Sequence, residues 1–175
     1  MNFALKLGLD KLPENADIIE RRAVKGIVLR RNQILLIKTN KGDYKIPGGG
    51  IKKGETIQDC LKREFREETG YALIDIGEML GTVQEQNPDK FNPKKYFRMS
   101  SEYYLCGIDC GSRVELKLDD YEAEQNFMPE FVDIYEALNT NQNLLKNEQL
   151  EAVNSWIERE VAVLNEIVRI IEKNE

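Results

Sequence analysis

The sequence predicts a mixed α+β domain closed by a long C-terminal helix. Three observations carry that reading. Apolar stretches of β-like composition fill residues 23–46 and, after a break, residues 73–108. A helix with start and stop signals lies between them, over Thr56–Thr69. From about Leu144 to Lys173, apolar residues recur at three-to-four spacing. The chain of 175 residues reads as one domain, 1–175, with residues 1–20 as an N-terminal extension.

Phe3, Leu5, Leu7 and Leu9 alternate with polar or small residues, which suggests a strand before the turn at Pro13-Glu14-Asn15. Val24 to Leu29 and Ile34 to Ile37 form a hairpin that turns at Arg30–Gln33. Tyr44-Lys45-Ile46 is a short strand, and Pro47-Gly48-Gly49-Gly50 is an irregular loop. Thr56 is placed to cap the following helix, and Gly70 to stop it. Leu73–Gln86 and Tyr96–Ile108 are β-like and flank a loop with two Asn-Pro pairs. Leu116–Leu118 and Phe131–Ile134 are shorter strand candidates, and Tyr135–Leu138 opens a short helix. In the final segment, Leu150, Val153, Ile157, Leu164, Ile167 and Ile171 make one stripe. It packs on its own domain or forms part of a homodimer contact.

Composition excludes several function classes. Lys+Arg is 25 and Asp+Glu is 31, a formal net charge of -6, so no basic face for nucleic acid is expected. His is absent, which removes every Ser-His-Asp triad, Cys-His pair and His-ligated zinc site. Any base must be a carboxylate, Lys, Tyr or Cys, and any metal must take mostly oxygen ligands. Cys60, Cys106 and Cys110 form no CxxC pair, which points to a reduced, cytoplasmic setting. The polar N-terminus is no signal peptide, and no apolar run reaches membrane-spanning length, so no membrane is expected.

The Thr56–Thr69 helix carries its carboxylates in an unusual place. At about 100° per residue, Ile57, Leu61 and Phe65 form the apolar stripe, and Glu64 and Glu68 fall in the same sector. Glu67 lies at its edge. Carboxylates turned towards a core are costly unless paired, and Glu64 and Glu68 repel each other. A divalent cation resolves both problems. The glycines just before the helix let backbone approach a ligand, with Lys45, Lys52 and Lys53 around them. The alternative is a solvated, charge-rich helix whose glutamates pair with Lys and Arg. No GK[ST] and no GxGxxG occurs.

Residues Gly49 to Tyr71 read GGIKKGETIQDCLKREFREETGY. This resembles the Nudix box, with Gly49, Glu55, Arg63, Glu64, Phe65, Glu67, Glu68, Gly70 and Tyr71 in the family's positions. Phe65 and Tyr71 are aromatic where the family has aliphatic residues. The resemblance implies an α/β/α sandwich with a mixed central sheet, the box forming loop, helix and loop. It implies that Glu64, Glu67 and Glu68 bind Mg²⁺ or Mn²⁺, and that one of them, or a metal-bound water beside it, starts attack on a phosphorus. It makes Arg63 the arginine that orients them, with Gly49, Glu55 and Gly70 holding the box in shape. Family members add a later acidic ligand, for which Glu124 is the first candidate and Glu122 the second.

The implied reaction is hydrolysis of a nucleoside diphosphate linked to another group X, a small-molecule nucleotide. Gly49, Gly50, Tyr96 and Arg98 are the substrate-binding candidates, and Pro88 tilts the choice towards a nucleotide sugar such as ADP-ribose. The alternatives are a house-cleaning (oxidised) nucleoside triphosphate pyrophosphatase and a non-catalytic nucleotide-binding module.

Overall fold

The structure is a computed structural model that describes residues 2–89, 92, 94–146 and 154–174. Two sheets form its centre. Strands β1 (Phe3–Gly8), β2 (Asp17–Ile27), β6 (Tyr71–Pro88) and β7 (Lys95–Arg113) make a mixed sheet in the order β1-β6-β7-β2. β6 and β7 are one long antiparallel hairpin, while β1 runs parallel to β6 and β2 parallel to β7. The second sheet is antiparallel. In it β4 (Gln33–Lys38) pairs with β3 (Leu29–Arg30), β5 (Tyr44–Lys45) and β8 (Met128–Asp133).

Helices cover both faces. α1 (Ile57–Thr69) buries Cys60, Leu61 and Phe65 against Val24, Val28, Leu35 and Cys106. On the other face α3 (Ile134–Lys146) and α4 (Ile157–Asn174) bury Ile134, Leu164 and Ile167 against Ile27, Ile34, Leu36 and Tyr103. Neighbouring positions of one strand, such as Leu35 and Leu36, thus serve different cores, as the period of two demands. The α/β/α sandwich expected from the sequence is present. A five-residue helix, α2 (Asp120–Glu124), precedes β8.

Local chemistry explains the helix ends. The Thr56 hydroxyl accepts from the Asp59 amide at 3.1 Å. Gly70 adopts φ 74° and donates to Arg66 O, the left-handed stop that glycine permits. α2 opens with a capping box between Asp119 and Glu122.

Two expectations need correction. Leu116–Leu118 is not a strand: Lys117 N–H donates to Glu67 O, and Val114 N–H to Gly70 O. This segment answers the orphan carbonyls at the end of α1 instead of a ladder. The single helix expected over residues 144–173 is not continuous: residues 144–146 end α3, residues 147–153 lie outside the described residues, and Asn154, Ser155 and Trp156 lie outside any helix before α4 starts at Ile157. Asn154 and Trp156 donate side-chain hydrogen bonds to the buried Asp43, and that holds the backbone out of the helix. Leu150 and Val153 lie outside the described residues. The stripe of α4 packs on its own domain: Leu164 and Ile167 are buried in the core.

Candidate active site

The glycine loop lies along β2. Gly26 N–H donates to Pro47 O, Val24 N–H to Gly49 O, and Ile51 N–H to Arg22 O. Gly48 has φ 124°, a conformation open to glycine. Gly49 has no room for a side chain, since a Cβ would overlap the Glu64 carboxylate. The loop and α1 are therefore in direct contact where the carboxylates begin.

Glu68 is 1% exposed, and both its oxygens are engaged. Lys45 Nζ donates to Oε1 at 2.7 Å, and Gly48 N–H donates to Oε2 at 2.6 Å. Glu64 lies one turn earlier and accepts from Arg63 Nη1 at 2.5 Å. Arg63 also grips Glu55 with two bonds, at 2.6 and 2.9 Å, and reaches Glu67 at 3.2 Å. That fork holds the Glu55 carboxyl down at about 2 and raises the Arg63 guanidinium further. Burial pushes the Cys60 thiol up to about 12, which keeps it protonated in the metal-free protein at neutral pH.

The third wall comes from α2. Carboxylate oxygens of Glu64, Glu68 and Glu122 lie within 4.8 Å of one another. Glu122 is half-buried, and burial, reinforced by Glu68 and Asp119, pushes its carboxyl up to about 7. Three carboxylates facing one point, with no sulfur or imidazole among them, suit a hard divalent cation such as Mg²⁺ or Mn²⁺. Glu124 does not join them. It lies two residues on, about 200° around the helix, and is exposed. Of the two candidates for a later acid, Glu122 is the one whose carboxylate converges with Glu64 and Glu68. Glu67 sits at the rim with its side chain 35% exposed, on Arg63 and outside the converging set.

The carboxylates floor a cavity of about 580 Å³ that is also lined by Gly48, Gly49 and Gly50. Arg21, Arg22 and Lys52 supply positive charge on its other walls. A second cavity, of about 410 Å³, shares Lys45 with it. Its walls include Phe97, Met99, Trp156 and Pro88, with Lys25 and Arg159 among its polar groups. Lys45 Nζ stands between the two, 4.3 Å from the Phe127 ring centre and 5.7 Å from that of Trp156. Trp156 in turn packs edge-on against Tyr121 of α2 at 6.1 Å.

Tyr96 and Arg98 line neither cavity. They alternate with Phe97 and Met99 along β7 and so point to the opposite face. Arg98 is spent on Gln86 and Glu20, both at 2.9 Å. Lys45, expected from the sequence as positive charge beside the glycine loop, is shown by the structure to bond Glu68 and to border both cavities. Lys25, a buried amine whose pKa burial lowers to about 8, gave no signal in the sequence beyond its strand position.

The NUDIX domain model matches residues 20–153. The chain belongs to the NUDIX domain family. Among curated Nudix relatives, the ADP-ribose pyrophosphatase of Methanocaldococcus jannaschii is 38% identical over 71 residues, 38% of this chain and 41% of that protein. The 8-oxo-dGTP diphosphatase of Buchnera aphidicola is 36% identical over 54 residues, 28% of this chain and 42% of that one. The chain thus spans less than half the length of these curated relatives. The MutT NUDIX hydrolase structure from Burkholderia pseudomallei aligns at a TM-score of 0.50 and 20% identity. It covers 67% of this chain and 85% of that one, and shows the shared fold alone. Among the described residues, no helix of this Nudix protein is long and apolar enough to cross a membrane.

Proposed function

We propose that this Nudix protein is a metal-dependent pyrophosphohydrolase that cleaves a nucleoside diphosphate joined to a group X, with a nucleotide sugar such as ADP-ribose as the leading substrate. The observation that carries the reading is the convergence of Glu64, Glu68 and Glu122 within 4.8 Å, in a cavity whose other walls bear Arg21, Arg22 and Lys52. A diphosphate brings negative charge to an acidic cluster. Mg²⁺ or Mn²⁺ held there would neutralise that charge and make a bound water more acidic.

The chain's own groups supply the rest. Glu64, Glu68 and Glu122 hold the cation, and Arg63 fixes Glu64 and Glu67. Arg21, Arg22 and Lys52 draw in the phosphate chain. A carboxylate of the cluster takes the proton of the attacking water as its oxygen bonds to phosphorus. The bridging P–O bond breaks, giving a nucleoside monophosphate and the phosphate of X. The second cavity, with aromatic walls, suits the end of the substrate beyond the diphosphate. The free thiols of Cys60, Cys106 and Cys110 fit a reducing cytoplasm.

A substrate panel tests the proposal. It should contain ADP-ribose, other nucleotide sugars, dinucleoside polyphosphates and oxidised nucleoside triphosphates, each with Mg²⁺ and with Mn²⁺. Release of a nucleoside monophosphate from a nucleotide sugar, dependent on the metal, is expected. Preference for the oxidised triphosphates, the activity that names the Buchnera relative, would replace the leading substrate and keep the reaction class. Nucleotide binding without turnover across the panel would make the protein a binding module.

A further inference from the structure

Strand β5 has a free edge. Among the described residues β4 is its one strand partner, and the backbone groups of Tyr44 and Ile46 that point the other way are buried. Buried N–H and C=O groups need partners. Here side chains supply them. Asn141 of α3 accepts from Tyr44 N–H at 2.9 Å and donates to Tyr44 O at 2.8 Å, a two-way pairing like that of a neighbouring strand. Glu160 of α4 accepts from Ile46 N–H at 2.9 Å, and Lys25 donates to Ile46 O and Gly48 O.

Glu160 is fully buried, and Arg159 balances its charge through two bonds, at 3.0 and 3.2 Å. An apolar residue would fasten α4 to the sheet without the cost of burying an ion pair. What an apolar residue cannot do is set the register of residues 44–48. Those residues include both partners of Glu68: the Lys45 ammonium and the Gly48 amide. Neither Asn141 nor Glu160 lines either cavity, so neither touches the cation or the substrate directly.

We infer that Asn141 and Glu160 are positioning residues for the carboxylate site: they stand in for a missing strand along β5 and thereby fix Glu68 towards the cation. The inference rests on the proposed metal-dependent function. Its readout is Mn²⁺ affinity of the full chain, measured by electron paramagnetic resonance of free Mn²⁺ and by calorimetry. Glu160→Leu and Asn141→Leu should each weaken Mn²⁺ binding by about 10- to 100-fold, as loss of outer partners of metal ligands does. Glu160→Gln keeps an oxygen for Ile46 N–H and should recover most of the affinity. Leu164→Ala, a buried apolar position of α4, should lower Tm and leave Mn²⁺ affinity where it was. Asn141→Ser makes a smaller change at the same edge and decides the matter if neither leucine variant folds.

Equal Mn²⁺ affinity in the edge variants and the wild type overturns the inference. So does a loss in Leu164→Ala as large as that in Glu160→Leu. Wild-type protein that binds Mn²⁺ but hydrolyses nothing defeats the proposed function while leaving this comparison intact.

Discussion

Glu68 and Glu122 bring carboxylate oxygens within 4.8 Å of each other from two different helices, and they are held in different ways. Glu68 belongs to a helix of 13 residues, is buried, and has a partner on each oxygen. Glu122 belongs to a helix of five residues and is half-buried. Its carboxylate is also engaged in the capping box, accepting from Asp119 N–H at 2.9 Å. One wall is fixed before any cation arrives. In the proposed metal site the other would exchange a backbone bond and a proton for the cation. A site built this way combines a rigid reference with an adjustable ligand.

The comparison ranks the expected effects. Glu68→Gln removes charge from the fixed wall, and turnover should fall by about 10³-fold, equivalent to ~4 kcal/mol of charge stabilisation. Steady-state rates at saturating Mg²⁺ check this, and a near-wild-type rate would show that the fixed wall is dispensable. Gly49→Ala leaves every carboxylate in the sequence but pushes Glu64 aside. A loss of about 10²-fold is expected from displacement alone. Circular dichroism should show the fold retained.

Glu122→Gln tests the adjustable wall, and a drop of about 10-fold in metal affinity is expected. It also has a pH signature. The metal-free Glu122 carboxyl titrates at about 7, so below that pH the cation must displace a proton. Mn²⁺ affinity should therefore strengthen from pH 6 to pH 8 in the wild type, and more weakly in Glu122→Gln. Glu124→Gln, on the exposed side of α2, should match the wild type in both respects.

The smallest effect concerns stability. The Glu55 carboxyl is held at about 2, below the 4.5 of an ordinary glutamate, by its hydrogen bonds to Arg63. Its pairing with Arg63 stabilises the fold above the unfolded value and loses that contribution as pH falls from 4.5 towards 2. The Tm difference between wild type and Glu55→Gln should shrink over that window. An unchanged difference would show that the clamp orients Glu64 without stabilising the domain.

The fixed wall was legible in the sequence because it is one helix and the loop before it. A rotation of about 100° per residue places Glu64 and Glu68 beside Leu61 and Phe65 without knowledge of the rest of the chain. The adjustable wall was only half legible. The stretch Asp119 to Glu124 holds four acids, and the face each occupies depends on where the short helix starts. Asp119 followed three residues later by Glu122 is a capping pattern, and it singles out Glu122 once used. The parity of β7 was open for a similar reason. Tyr96 and Arg98 looked suited to a nucleotide, but a strand shows only alternate residues to one side. Phe97 and Met99 share their side with the buried Ser101 and Tyr103. The free edge of β5 left no trace, since its partners Asn141 and Glu160 are about a hundred positions away.

Lys45 belongs to both cavities at once, with its charge on Glu68 and its head against the aromatic rings. In the proposed enzyme, recognition and turnover would therefore share a side chain and could not be tuned as separate modules. If the aromatic cavity takes group X as proposed, redesigning it would reach the carboxylate cluster through Lys45, so selection for a new substrate would have to act on both properties together.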